Sequence, residues 1–112
     1  MNLDDLVQSI PDSDSDLRNQ LAHWIDEWKR NEYSIEKLSY LVGKWHGNVW
    51  FKKTDVSNKF YQDWVRFKAD AIEGINGMTM NERLYAFGLF SLWDSADEKE
   101  KSVIRAKLKA NV

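Results

Sequence analysis

The sequence predicts an all-α protein, a single compact domain (residues 1–112) of five or six helices. Three observations carry that expectation. Apolar residues recur at three- and four-residue steps along most of the chain, the period of a helix with one buried face. Turn formers are scarce, one proline and five glycines in 112 residues, so the helices are joined by short loops. Serine, threonine and aspartate stand where the stripes begin, placed to satisfy the free N–H groups of a first helical turn. A chain of this length makes one domain, with a core large enough to need no disulfide or metal staple.

Residues 2–10 read as a short helix with Leu3, Leu6, Val7 and Ile10 on one face. Pro11 ends it, because the residue before a proline avoids the helical region. Asp12-Ser13-Asp14-Ser15-Asp16 then feeds a helix over 15–30, with negative charge at the positive end of its dipole. Leu17, Leu21, Trp24 and Trp28 form the apolar stripe of that helix, with Ile25 beside it, and Asp16, Gln20, His23 and Glu27 lie opposite. Ser34 caps a third helix whose inward residues are Ile35, Leu38, Leu41, Val42 and Trp45, and Gly47 is placed to end it. Residues 49–53 are rich in β-formers but too few to decide between loop, short strand and the lead-in to a helix. Ser57 caps a fourth helix reaching residue 73, with Phe60, Trp64, Phe67 and Ala71 on one face.

The stretch 78–93 is the expected centre of the fold. Thr79 and Glu82 have the spacing of a capping box. Leu84, Phe87, Gly88 and Ser91 make one stripe, and Tyr85, Leu89, Leu92 and Trp93 the next, so the helix is apolar nearly all round and belongs inside. Leu84, Phe87, Leu89 and Leu92 are expected in the core, and Gly88 is expected to admit a close-approaching backbone. Ser95 with Glu98 repeats the capping pattern and opens a last helix to about residue 110, whose apolar side holds Val103, Ile104, Ala106 and Leu108.

The net charge of −2 hides an asymmetry. Residues 1–32 carry eight acids and three bases, residues 33–69 three acids and seven bases, and residues 70–112 seven acids and six bases. Such polarity speaks of partners and association rates, not of fold.

Several classes of function fit poorly. Asp12-x-Asp14-x-Asp16 opens like a calcium loop, but the sixth and twelfth positions, which need glycine and glutamate, are Leu17 and His23. His23 and Glu27 are one helical turn apart, yet two ligands make no metal site, and the chain has no cysteine. There is no glycine-rich phosphate loop, no catalytic-triad order and no HExxH, so neither an enzyme nor a cofactor is expected. Residues 44–68 interleave bases with aromatics, as single-strand binders do. Phe60, Trp64 and Phe67 have core spacing, however, and a sequence pI near 5.7 is far from the basic profile of such proteins. Of six tryptophans only Trp50 lacks a periodic place, which makes it a candidate interface anchor. No apolar run approaches the ~18 residues a membrane span needs. Residues 1–10 carry two aspartates and no lysine or arginine, unlike a signal peptide, so a cytoplasmic protein is expected.

Asn81-Glu82-Arg83-Leu84-Tyr85, then Gly88-Leu89, then Trp93-Asp94 before a charged helix, resembles the C-terminal segment of many small bacterial proteins. Those that carry a label are called immunity proteins, found beside contact-dependent or polymorphic toxins. The resemblance covers about residues 79–108 and carries no functional residue. It implies a protein that binds and neutralises a cognate toxin by blocking its active site or substrate surface. A nuclease toxin is basic because it binds phosphates, and the acidic first third of this chain suits such a partner. The expected contact residues are Asp12, Asp14, Asp16, Gln20, His23, Asp26, Glu27 and Trp50. No metal, cofactor, nucleic acid, membrane or small-molecule substrate is expected. The alternatives are a generic helical interaction or regulatory module and, third, a nucleic-acid binder.

Overall fold

The structure, a computed structural model, describes residues 1–110. Its α-helices are α1 (Leu3–Gln8), α2 (Ser15–Arg30), α3 (Ile35–Gly47), α4 (Thr54–Phe67), α5 (Met80–Ala86), α6 (Phe90–Ser95) and α7 (Glu98–Lys107). Short 3-10 turns at Asp12–Asp14 and Ile75–Gly77 and a π-helical turn at Lys68–Glu73 link some of them. There is no strand among the described residues. Among the described residues the protein is all-α, with seven helices where five or six were expected. One hydrophobic core runs through the molecule, with Trp28, Trp45 and Phe87 its largest fully buried side chains.

The additional helix comes from Gly88. The stripe through 78–93 is continuous in sequence, but the chain leaves the helix after Ala86 and restarts at Phe90. Gly88 takes φ +66°, the left-handed region that suits glycine. The Leu89 N–H donates to the Leu84 carbonyl at 2.9 Å and the Gly88 N–H to the Tyr85 carbonyl at 3.2 Å. This is the pair of bonds that closes a helix C-terminus in a Schellman motif. What approaches Gly88 is also not a backbone. A Cβ there would lie 2.1 Å from Asp4 Oδ2 and 2.8 Å from Lys29 Nζ. Those two side chains form an ion pair at 2.7 Å that ties α1 to α2 beneath the glycine. The break re-aims α6: Leu84, Phe87 and Leu89 are buried as expected, while Leu92 is only half-buried.

Other boundaries shift for local reasons. In α2 the buried residues are Leu21, Ile25 and Trp28, with Leu17 and Trp24 half-exposed, so the helix is rotated toward Ile25. α4 starts at Thr54, freeing the Ser57 hydroxyl to meet His46 Nε2 at 3.3 Å. α4 also ends at Phe67, because the chain widens into the π turn before residue 73. The last helix is capped by Asp97 and Glu100, two residues later than Ser95 and Glu98, since Ser95 is the final residue of α6. It closes with Lys109 at φ 58°.

Lys107 is the main departure from the apolar pattern. It is buried, and its ammonium donates to the carbonyls of Trp28, Asn31 and Tyr33 at 2.6, 2.7 and 2.7 Å. Three N–H donors meet three acceptors, and the charge also sits 4.3 Å from the Trp28 ring centroid. The side chain caps the end of α2 from the far end of the chain, where helix carbonyls are free and the dipole is negative.

Candidate protein-interaction surface

The 3-10 turn and the first half of α2 place the acidic residues. Asp12 is exposed and pairs with Arg18 at 2.7 Å, and the same Arg18 nitrogen holds the Ile10 carbonyl at 3.1 Å. Asp16 is exposed in the first turn of α2 and makes no ion pair among the described residues. Gln20 is exposed, and its Oε1 accepts from the Trp45 indole N–H at 2.9 Å, which fixes α2 against α3. His23 and Glu27 lie one turn apart, both exposed, with 3.8 Å between Nε2 and Oε1. Asp26 is turned about 100° around the helix from Glu27. It is held by Arg30 Nε at 2.9 and 3.1 Å.

Asp14 does not belong to this surface. It is 5% exposed, so it is not a rim charge as expected. Its Oδ1 accepts the backbone N–H of Lys52 at 3.1 Å, while Oδ2 has no hydrogen-bond partner. Nothing in the alternating Asp-Ser run marked the middle aspartate as the inward one, because a 3-10 turn sets that direction.

Residues 49–53 form a loop, which settles the three alternatives. Its exposed tip is Trp50, 92% accessible. The neighbours of Trp50 are anchored. Val49 and Phe51 are half-buried, and Phe51 packs 6.0 Å from Trp45, from His46 and from Phe60. Lys52 is fixed by Asp14. The indole is thus held outward by a loop whose two flanks are fastened to the core. The Asp14–Lys52 bond also brings the Trp50 loop beside the start of α2, and Gln20–Trp45 ties α2 to α3 six residues further on. The acidic start of α2 and the Trp50 loop, separate in sequence, are thus neighbours, while His23 and Glu27 lie further along α2 toward Tyr33 and Lys37. Exposed Lys52 and Lys53 follow Phe51 in the same loop, so this surface is mixed in charge rather than purely acidic.

The aromatic residues of 44–68 are mostly core. Phe60, Trp64 and Phe67 are buried, and His46 lies between the rings of Phe60 and Tyr61 at 5.6 and 5.5 Å. Sequence reasoning did miss a ridge on α3. Lys37 Nζ lies 5.6 Å from the ring centroids of both Tyr33 and Tyr40, and Lys44 Nζ lies 5.7 Å from that of Tyr40. The signal was present as a +4, +3, +4 spacing on the outer face. Between this ridge and α2 runs a groove of about 270 Å³ lined by His23, Trp24, Glu27, Tyr33, Lys37 and Leu41. A larger groove of about 610 Å³ lies between α4, the π turn and α5, walled by Phe67, Ala71, Met78 and Tyr85, and contains none of the expected contact residues.

Among the described residues no three His, Cys, Asp or Glu side chains are grouped to hold a metal ion, and no helix is long and apolar enough to cross a membrane. Compared with protein-family models, curated proteins and solved structures, the chain finds no match.

Proposed function

We propose that this protein is a cytoplasmic immunity protein that binds and neutralises a cognate bacterial toxin, a basic nuclease, by covering its active site or substrate surface. The observation that carries the reading is the mounting of Trp50. A tryptophan 92% exposed stabilises nothing in the monomer, yet both of its flanks are fastened. An indole presented in a fixed position loses little entropy on docking, and tryptophan is over-represented among the residues that dominate binding energy. Beside it stands the carboxylate of Asp16, which makes no ion pair among the described residues, and the weakly paired one of Glu27 lies toward the other end of the same outer stripe of α2. Carboxylates on such a rim attract the cations with which a nuclease binds phosphate, and they raise the association rate more than the final affinity. Asp12, Gln20 and His23 complete the contact, whereas Asp14 supports it from inside.

The test is co-expression with the product of the neighbouring upstream reading frame. A one-to-one complex that protects cells from that product, and loses about 30-fold or more in affinity on Trp50→Ala, is the expected result, about 2 kcal/mol for a hot-spot residue. No complex and no protection would overturn the immunity reading and favour a helical interaction module with another partner.

A further inference from the structure

We propose that the α2–α3 face pairs with the same face of a second copy of this chain. α2 and α3 are antiparallel neighbours: Gln20 bonds Trp45 at one end, and the Trp28 indole N–H bonds the Ser34 carbonyl at 2.7 Å at the other. One wall of the groove between them is α2, with His23 and Glu27, and Asp16 continues its outer stripe. The opposite wall is the α3 ridge, with Lys37 and, further along, Lys44. The floor is apolar, made by half-buried Trp24 and Leu41.

The charges on the two walls do not satisfy each other. Glu27 and Lys37 line the same groove, yet the only ionic neighbour of Glu27 is His23, and Asp16, Lys37 and Lys44 make no ion pair among the described residues. The two lysines are instead ordered against tyrosine rings. Cations held against tyrosine rings, beside one carboxylate with no ion pair and one with only a weak histidine neighbour, form a surface that is complementary to itself.

A two-fold axis running along the groove places α2 of one copy over α3 of the other at the same height. Glu27 of each copy then faces Lys37 of its mate, the Asp16–Gln20 end faces Lys44, and Trp24 and Leu41 of both copies close an apolar seam. The arrangement is isologous, so it closes at two copies. Packing α2 on α2 would oppose like charges, which selects this axis over the perpendicular one. The tyrosine faces are occupied by lysines, which leaves less room for stacked bases and favours carboxylates as the partners of the ridge. The inference does not rest on the toxin reading. If both hold, the paired state covers part of the face that meets the toxin.

Sedimentation equilibrium of the purified full chain, from micromolar to near-millimolar concentration and at low and high salt, tests it without any toxin. The expected result is a monomer–dimer equilibrium that weakens with salt. The decisive arm uses two exposed-site variants, Asp16→Lys with Glu27→Lys, and Lys37→Glu with Lys44→Glu. Each alone should self-associate at least about tenfold more weakly, and an equal mixture should recover association as a heterodimer, because each reversed wall then meets a reversed mate. A chain that stays monomeric throughout, or a dimer indifferent to both variants, overturns the proposal. The second outcome would point to the larger groove at Tyr85 and Phe90. Higher-order polymers in place of a dimer would overturn the two-fold geometry.

Discussion

The Asp14 carboxylate holds the backbone N–H of Lys52 at 3.1 Å, across 38 residues of chain. This one bond joins the acidic entrance of α2 to the loop that presents Trp50, and it divides the aspartates of the 12–16 run into an internal strut and external charges.

Replacing Asp14 by Ala should therefore act on the loop more than on the fold. The lost charge-assisted bond is partly offset by removal of an oxygen, Oδ2, that is buried without a partner. Stability should fall by about 1 kcal/mol. Hydrogen exchange at the Lys52 amide should rise about tenfold or more, the consequence of losing roughly 1.4 kcal/mol of local protection. An unchanged Lys52 exchange rate would show that Phe51 alone fixes the loop.

Charge reversal should separate the same residues. Asp16→Lys and Glu27→Lys are surface changes and should alter stability by no more than about 0.5 kcal/mol. Asp14→Lys buries an unpaired ammonium in place of an accepting carboxylate and should cost about 3 kcal/mol or more. Urea unfolding of the three variants reads the contrast, and equal losses would contradict the burial of Asp14.

Leu84→Ala should cost about 2–5 kcal/mol, the range for a large-to-small change in a packed core. Leu92→Ala, at the half-buried site beyond the break, should cost less. Gly88→Ala should rival the first, since it combines a left-handed backbone, about 1–2 kcal/mol by itself, with a collision against Asp4 and Lys29. A mild Gly88→Ala phenotype would mean that α5 and α6 readily join into one helix.

Lys107 gives a pH signature. Burial pushes its pKa from the ordinary 10.5 down to about 8. Between those values the unfolded chain holds the proton that the folded chain has released, so this group makes stability rise with pH across the window and contributes no slope below about 8. At pH 7 the ammonium is still the main form, in keeping with three carbonyl acceptors. Lys107→Met should cost about 2–4 kcal/mol, because those carbonyls lose their donor. It should also abolish the rise, read as the difference between the two stability–pH curves. Parallel curves would show that the amine stays charged throughout.

The fold class was legible because helical periodicity and caps are local. Thr79 with Glu82 reads directly, and Leu84 and Phe87 follow from the stripe they start. The break at Gly88 was not legible, since a glycine inside a helical stripe is compatible with continuation or with closure, and what fills the space over it, the Asp4–Lys29 pair, comes from distant sequence. At the next cap two overlapping boxes compete within six residues, and Ser95 lost to Asp97 because α6 needed Ser95 for its own last turn. Of the candidate contact residues, Asp16, His23, Glu27 and Trp50 could be placed outside from periodicity or its absence. Asp14 could not, because burial in a 3-10 turn has no sequence period. Lys107 did leave a trace: it lies between Ile104 and Leu108 on the apolar side of α7, a place where lysine needs a buried partner.

The acceptors of Lys107 lie 74 to 79 positions earlier in the chain. During synthesis the α2–α3 corner leaves the ribosome long before the residue that satisfies it. Water must serve those three carbonyls until α7 arrives, so their satisfaction is a non-local event of high contact order, while the Trp28–Ser34 bond can close the corner locally. A nascent chain halted before residue 107 would leave those three carbonyls to solvent, with the corner held only by the local Trp28–Ser34 bond.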